Sequence, residues 1–150
     1  MKTKLTALLL VLIFIFSAVP VSAAAPRDDV AEPAASLLIS SYLGWLTDEG
    51  NGTLRIVCDL STKYSVETMG ASQIEIQRYD NATNSWKYTG TVFGNAYNNL
   101  LRSNTFSMLQ GVNFNGLTIG RTYRAVITFY AKNGSIEETR YYTTDSLTLS

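Results

Sequence analysis

The sequence lacks histidine altogether and contains a single cysteine and three prolines among its 150 residues. Without histidine, His-based triads, histidine general bases and most transition-metal sites are excluded. One cysteine cannot form an internal disulfide, and Cys58 lies on the apolar face of a predicted strand, so we expect a buried structural thiol. Basic and acidic residues number twelve each, which gives no excess of positive charge for binding nucleic acid.

The N-terminus has the pattern of a secretory signal peptide. Lys2 and Lys4 precede an uncharged, strongly apolar run over residues 5–16, and mostly small residues follow as far as Ala25. A basic start, an apolar centre and a small-residue cleavage site predict export, with cleavage after Ala23 and a signal peptide over residues 1–23. The apolar run is short for a membrane span, so we expect no integral membrane segment in the mature chain. An uncleaved N-terminal anchor is the alternative.

The rest of the sequence predicts a leader followed by one all-β domain. Residues 24–36 are small, charged and interrupted by proline, which predicts a flexible leader. Residues 37–150 alternate between apolar-patterned runs and turn-forming clusters, without helical periodicity. The predicted strands cover residues 37–46, 53–60, 73–79, 86–93, 105–114, 123–130 and 136–144. About seven antiparallel strands at this spacing predict a single immunoglobulin-like β-sandwich made of two sheets.

The segment from Leu117 to Phe129 carries the most informative local pattern. Leu117, Gly120 and Tyr123 precede alternating apolar residues, and this spacing resembles the signature of fibronectin type III domains. The resemblance implies a tyrosine corner, in which Gly120 lets the chain turn and Tyr123 returns its hydroxyl to nearby backbone. An ordinary glycine turn into an amphipathic strand is the alternative. The sequence departs from the module in its second strand, which carries Cys58 where a core tryptophan is usual.

A wider resemblance rests on the signal peptide, residues 50–54, residues 69–76, Trp86 and residues 124–134. Together these segments resemble a family of small secreted proteins of Gram-positive bacteria whose function is uncharacterised. The resemblance implies export and a fibronectin type III-like domain. The resemblance implies no catalytic residue, because none is known in that family.

The acidic residues do not form a convincing catalytic pair. Three adjacent pairs stand out: Asp28/Asp29, Asp48/Glu49 and Glu137/Glu138. The first pair lies in the leader, the second in a predicted turn and the third on a predicted strand, where neighbouring side chains point to opposite faces. Solvated charges are the simpler interpretation. Because calcium-loop, phosphate-loop and nucleophile motifs are also missing, we expect no catalytic residue, no metal site and no cofactor.

A candidate binding site follows from the expected strand pairing. If the turn at Lys132–Gly134 joins the last two long strands, Arg124 lies opposite Tyr142 on the outer face of a sheet. Tyr79 would flank Arg124 on its other side, giving a cation between two aromatic rings. A solvated sheet face is the alternative, and a register slip of one residue would invert the last strand.

Other aromatic residues suggest a possible sugar-binding surface. Trp45, Trp86, Tyr88 and Tyr97 could each stack against a sugar ring. Trp86 shares strand parity with Tyr88 and Val92, however, and this pattern favours packing of Trp86 in the core. Tyr97 lies in an Asn-rich loop, where we expect it to be exposed.

These observations predict a secreted, extracellular and non-catalytic binding or interaction module. Association with the cell envelope is compatible with this prediction. The expected partner is an extracellular protein or a glycan, and not a nucleic acid. A structural or self-associating cell-envelope protein that pairs through an edge strand is the alternative. A small secreted enzyme that uses carboxylates alone is the third and least favoured class.

Overall fold

The computed structural model of the protein describes residues 36–94 and 99–150. The predicted signal peptide, all but the last residue of the leader, and Tyr97 lie outside the described residues. In order, the strands are β1 (Ile39–Gly50), β2 (Thr53–Asp80), β3 (Ser85–Phe93), β4 (Leu101–Phe114), β5 (Thr122–Asn133), β6 (Ile136–Thr143) and β7 (Leu147–Thr148). All pairings are antiparallel, and the strands form one strongly curled, half-barrel sheet.

The long strand β2 makes the sheet continuous. Its first part, residues 53–70, pairs with β1 and β4, and residues 68–80 pair with β5 and, from Gln73 onward, with β3. The sequence predicts two separate strands here, with a loop through Gly70. Instead, Gly70 adopts a φ of 149° inside the strand and lies so close to Leu100 that a Cβ would overlap its carbonyl. The all-β prediction of seven antiparallel strands is confirmed, whereas two separate sheets are not observed.

The core lies on the inner face of the curled sheet. Strand β5 alternates strictly, because Tyr123, Ala125, Ile127, Phe129 and Ala131 are buried and the residues between them are partly exposed. The first part of β2 alternates in a similar way, apart from Val57, which is also buried, and places the Cys58 thiol in the core. This period of two is what the sequence predicts for strands with one buried face.

The register of β5 and β6 differs from the predicted one. Gly134 and Ser135 form the turn, with a φ of 59° at Gly134, so that Asn133 remains in the strand and pairs with Ile136. A glycine at the first position of a two-residue turn supplies the positive φ that such hairpins need. Tyr142 therefore pairs with Ile127 and shares its face, so the predicted placement of Tyr142 opposite Arg124 is wrong. The pairing is displaced by an odd number of residues, which inverts the face of β6.

Candidate functional site

A row of polar and aromatic side chains crosses three strands on the outer face of the sheet. Gln77 on β2 pairs with Tyr88 on β3 and with Arg124 on β5. The next pair on the same face toward the β2–β3 turn is Tyr79 with Trp86. Opposed residues of an antiparallel pair project to the same face, so these five side chains are neighbours. We call them the Arg124 cluster.

Arg124 is held against an aromatic ring. Its guanidinium carbon lies 4.3 Å from the centre of the Trp86 ring, within the range of a cation–π contact. The Trp86 ring in turn packs edge-on against Tyr79, with 5.1 Å between ring centres and 61° between ring planes. The two aromatic side chains therefore form a wall that fixes one face of the guanidinium.

A hydrogen-bond chain fixes the guanidinium from a second direction. The Arg124 Nε donates to Oε1 of Gln77 at 2.8 Å, and Nε2 of Gln77 donates to Glu75 Oε1 at 2.6 Å. Glu75 thus orients the Gln77 amide so that its oxygen faces Arg124. Within residues 36–94 and 99–150, the terminal nitrogens of Arg124 have no hydrogen-bond or ion-pair partner. They form a planar donor fork that suits a carboxylate or a phosphate.

The structure brings together two of the three predicted binding residues. Tyr79 and Arg124 both join the cluster through Trp86. Tyr142 lies on the inner face instead, where its ring contacts Tyr42 edge-on at 6.3 Å. Tyr42 also packs against the core residue Phe129, with 5.7 Å between ring centres. Tyr142 thus belongs to the margin of the core and not to the outer face.

Trp86 is the residue that the sequence interpretation misplaced. Its predicted core position is wrong, because it is only partly buried and pairs with Tyr79 on the outer face. The correct face follows from the short turn after Asp80. Asp80 pairs with Ser85, and the next pair away from the turn is Tyr79 with Trp86. Since Tyr79 was predicted to point outward, the same reasoning across the turn would have placed Trp86 beside it.

The residues of the predicted tyrosine corner lie close together. The Tyr123 hydroxyl accepts a hydrogen bond from the Thr118 amide at 3.0 Å and donates to the Thr118 carbonyl at 3.4 Å. Tyr123 is 1% exposed, Leu117 is buried, and Gly120 turns the chain with a φ of 77°. The hydroxyl therefore ties the end of the preceding loop to the start of β5.

The neighbouring carboxylates of Glu137 and Glu138 form hydrogen bonds and ion pairs with other groups of the fold, and they do not pair with each other. Glu138 is only 8% exposed, so its predicted solvation is wrong. Its carboxylate accepts hydrogen bonds from the Leu38 and Ile39 amides and pairs with Arg140 at 2.7 Å. Glu137 points the other way and pairs with Lys132 at 2.9 Å. The two neighbouring carboxylates thus project from opposite faces, as the strand geometry predicts.

Two further titratable groups also serve the fold. Hydrogen bonds to Asp48 from the amide of Ser150, the amide of Gly50 and the Ser150 hydroxyl hold the pKa of the Asp48 carboxyl below its ordinary value. Burial raises the pKa of the Cys58 thiol to about 12, so the unreactive thiol dominates at neutral pH. In the described part of the chain, no three metal-ligating acidic or thiol side chains cluster together. The same residues include no helix long and apolar enough to cross a membrane.

Comparison with known proteins found no match, so the geometry of the side chains is the basis for assigning a function. No protein-family model, curated protein or solved structure matches the chain. The resemblance to small secreted proteins of Gram-positive bacteria therefore stays a prediction, as does the relationship to fibronectin type III domains. The Arg124 cluster is the arrangement of side chains that best combines exposure, fixed geometry and unused hydrogen-bonding capacity.

Proposed function

We propose that the protein is a secreted, non-catalytic binding module that engages an extracellular ligand through the Arg124 cluster. The observation that carries this proposal is the fixed guanidinium of Arg124, which Trp86 and Gln77 hold from two directions. A side chain that is already ordered loses less conformational entropy when a ligand binds. Its terminal nitrogens, which have no partner among the described residues, can then supply directional hydrogen bonds.

Export and the finer fold assignment form part of the same proposal. The basic, apolar and small-residue pattern of the N-terminus supports secretion. The contact between Tyr123 and Thr118, together with buried Leu117, supports an immunoglobulin or fibronectin type III-like origin of the domain. In this proposal the continuous β2 is a variation that joins what would otherwise be two sheets.

Self-association through an edge strand has weaker support. Among the described strands, β3 and β4 each pair with β2 alone, so each is a candidate for an open edge. The side chain of Gln110 hydrogen-bonds the Gly111 carbonyl, and Arg102 donates to Gln110 at 3.1 Å. The Gln110 amide already occupies a backbone carbonyl of β4, so a second strand that paired with this carbonyl would have to displace it.

A binding screen tests the proposed function. The purified chain from Ala24 onward is presented with arrays of neutral and acidic glycans and with surface proteins. We expect a specific hit that Trp86→Ala and Arg124→Ala each weaken at least about tenfold, with circular dichroism confirming that both variants are folded.

Matched variants on the other half of the sheet serve as controls. Trp45 is 40% exposed on β1, and Arg102 is exposed on β4. Trp45→Ala and Arg102→Ala should leave binding unchanged. Binding that depends on these residues and not on the cluster would place the site elsewhere. If the folded protein binds nothing and sediments as an oligomer, the self-associating role is correct instead.

A further inference from the structure

We infer that the ligand of the Arg124 cluster is an acidic polysaccharide, whose carboxylate or phosphate group pairs with the terminal nitrogens of Arg124. This inference rests on the proposed function and specifies its ligand. It depends on three properties of the outer face: its charge, the kinds of side chain around Arg124 and the way in which Gln77 sets the direction of the guanidinium.

The unused donors of a positively charged side chain favour an anion. Across the rows that surround the cluster on β2, β3 and β5, Arg124 is the cation and Glu75 the carboxylate. An oxygen of Glu75 is already used by the Gln77 amide at 2.6 Å. The terminal nitrogens of Arg124 have no such partner within the described residues, so an incoming oxyanion would satisfy them. Two parallel N–H···O bonds to one oxyanion are stronger and more directional than a single neutral hydrogen bond.

The side chains around Arg124 favour a sugar over a protein surface. Tyr88 stands in the same row as Arg124 and is 66% exposed, and its hydroxyl accepts a hydrogen bond from Thr91 at 3.3 Å. Tyr141, which is 72% exposed, pairs with Thr128 further along the face. Flat rings can cover the apolar faces of sugar units, while hydroxyl and amide groups bind sugar hydroxyls. The core of a protein–protein interface is usually more apolar than this surface.

The dimensions of the face suit a chain of sugar units rather than a single one. The rows that contain Gln77 and Gln73 lie four residues apart on β2, which corresponds to roughly 13 Å. The first row ends in Tyr88, and the second pairs Gln73 with Phe93 on β3, which is also exposed. A polysaccharide running along β3 would therefore meet one exposed aromatic ring in each of these two rows.

Gln77 acts as a positioning residue for Arg124. Its amide is oriented by Glu75 and holds Nε of Arg124 at 2.8 Å, which leaves the two terminal nitrogens available to a ligand. Lysine at position 124 would keep the positive charge but lose both the Nε contact and the planar fork. Leucine at position 77 would keep the bulk but release the guanidinium. Comparing these two substitutions therefore separates the contribution of the positive charge from that of the orientation of the guanidinium.

The test uses polygalacturonate, its fully methyl-esterified form and a phosphorylated galactan as probes, with affinities measured by titration calorimetry. The methyl ester keeps the sugar backbone and removes the charge. We expect binding of the polyuronate or the phosphorylated galactan, at least about tenfold weaker binding of the ester, and weakening with added salt. Preference between the two acidic polymers identifies whether carboxylate or phosphate is the natural group.

Variants complete the test. Arg124→Ala should abolish the preference for the acidic polymer over the ester, while Arg124→Lys and Gln77→Leu should each reduce it, and Arg102→Ala should leave it intact. Equal binding of the polyuronate and its ester would overturn the inference but keep the binding module. Failure to bind any of the three polymers, while the array yields a protein or a neutral glycan that needs Trp86, would likewise refute only the acidic ligand. Failure in both assays would refute the proposed function as well.

Discussion

The carboxylate of Glu138 accepts a hydrogen bond from the amide of Leu38 at 2.6 Å, although the two residues are 100 positions apart in the sequence. A second bond from the Ile39 amide, at 3.0 Å, and one from the Ser36 hydroxyl, at 2.8 Å, complete the contact. The carboxylate therefore satisfies buried backbone donors at the start of β1 and ties that strand to the β5–β6 hairpin.

Replacing Glu138 with glutamine should lower the free energy of unfolding by about 1–3 kcal/mol. Glutamine has nearly the same shape, but its neutral amide is a weaker acceptor for two backbone donors and no longer pairs with Arg140. Urea denaturation monitored by tryptophan fluorescence measures the change. Glu137→Gln is the matched control, because Glu137 is exposed and its pair with Lys132 lies at the surface, so its midpoint should barely move. Equal midpoints for the two variants would contradict the role assigned to Glu138.

The contribution of Glu138 should also depend on pH. Burial raises the pKa of this carboxyl, but hydrogen bonds from the Leu38 and Ile39 amides and from the Ser36 hydroxyl, together with nearby Arg140, lower it below its ordinary value of 4.5 overall. The unfolded state therefore binds a proton at a higher pH than the folded state does. The stabilisation that Glu138 contributes is therefore complete above the ordinary pKa of 4.5. It is lost as the pH falls through the lower pKa of the carboxyl in the folded protein.

The measurement for this pH dependence is the difference in unfolding free energy between the wild-type protein and Glu138→Gln, followed from neutral pH into acid. The difference should be constant above pH 4.5 and should shrink below it. Taking the difference cancels the contributions of Asp48, Asp80 and Glu137, whose pKa values are also lowered in the folded protein. A difference that grows on acidification would mean that the sign is wrong.

Removing the hydroxyl of Tyr123 should destabilise the domain by about 1–2 kcal/mol. In Tyr123→Phe the ring still fills its place in the core, but the Thr118 amide loses its acceptor. Denaturation midpoints give the change, and Tyr141→Phe provides the control, since Tyr141 is highly exposed. If the two variants unfold at the same midpoint, the hydroxyl contributes nothing and the tyrosine-corner interpretation fails.

The bend of β2 at Gly70 should not tolerate a side chain. Gly70→Ala combines a positive φ with an overlap between the new Cβ and the Leu100 carbonyl, so we expect a loss of about 2 kcal/mol or more. Gly50→Ala is the matched control, because Gly50 also has a positive φ, 80°, but open space around its Cβ position. The excess loss at Gly70, measured by thermal or urea unfolding, reports the close approach together with the different φ of Gly70. An equal loss at both positions would show that the strand can shift away from Leu100.

Local patterns predicted most strands, because alternation and turn-forming residues act over a few positions. The turn after Asp80 and the alternation of β5 both appear as expected. The structure around Gly70 was harder to predict from the sequence, since a glycine with a positive φ occurs both in loops and at irregular positions within strands. Local patterns alone could not separate the two, because the distinction depends on Leu100 and on pairing with distant strands.

The candidate site was only partly predictable for a related reason. Tyr79 and Arg124 were placed on the correct face from the parity of their own strands. The position of Tyr142 depended on which residues form the turn at Gly134, and a small error there inverted a whole strand. The burial of Glu138 could not be anticipated either, because its donors lie about 100 positions away in the sequence.

The contact between Arg124 and Trp86 should appear as a favourable coupling energy in a double-mutant cycle. With the guanidinium carbon 4.3 Å from the ring centre and both side chains partly exposed, we expect about 0.5–1 kcal/mol. The cycle combines Arg124→Ala, Trp86→Ala and the double variant, each unfolded in urea. A parallel cycle with Arg124 and Tyr142 tests the corrected register, because these residues lie on opposite faces and should show no coupling. Coupling of Arg124 to Tyr142, and none to Trp86, would instead restore the pairing first predicted from the Lys132–Gly134 turn.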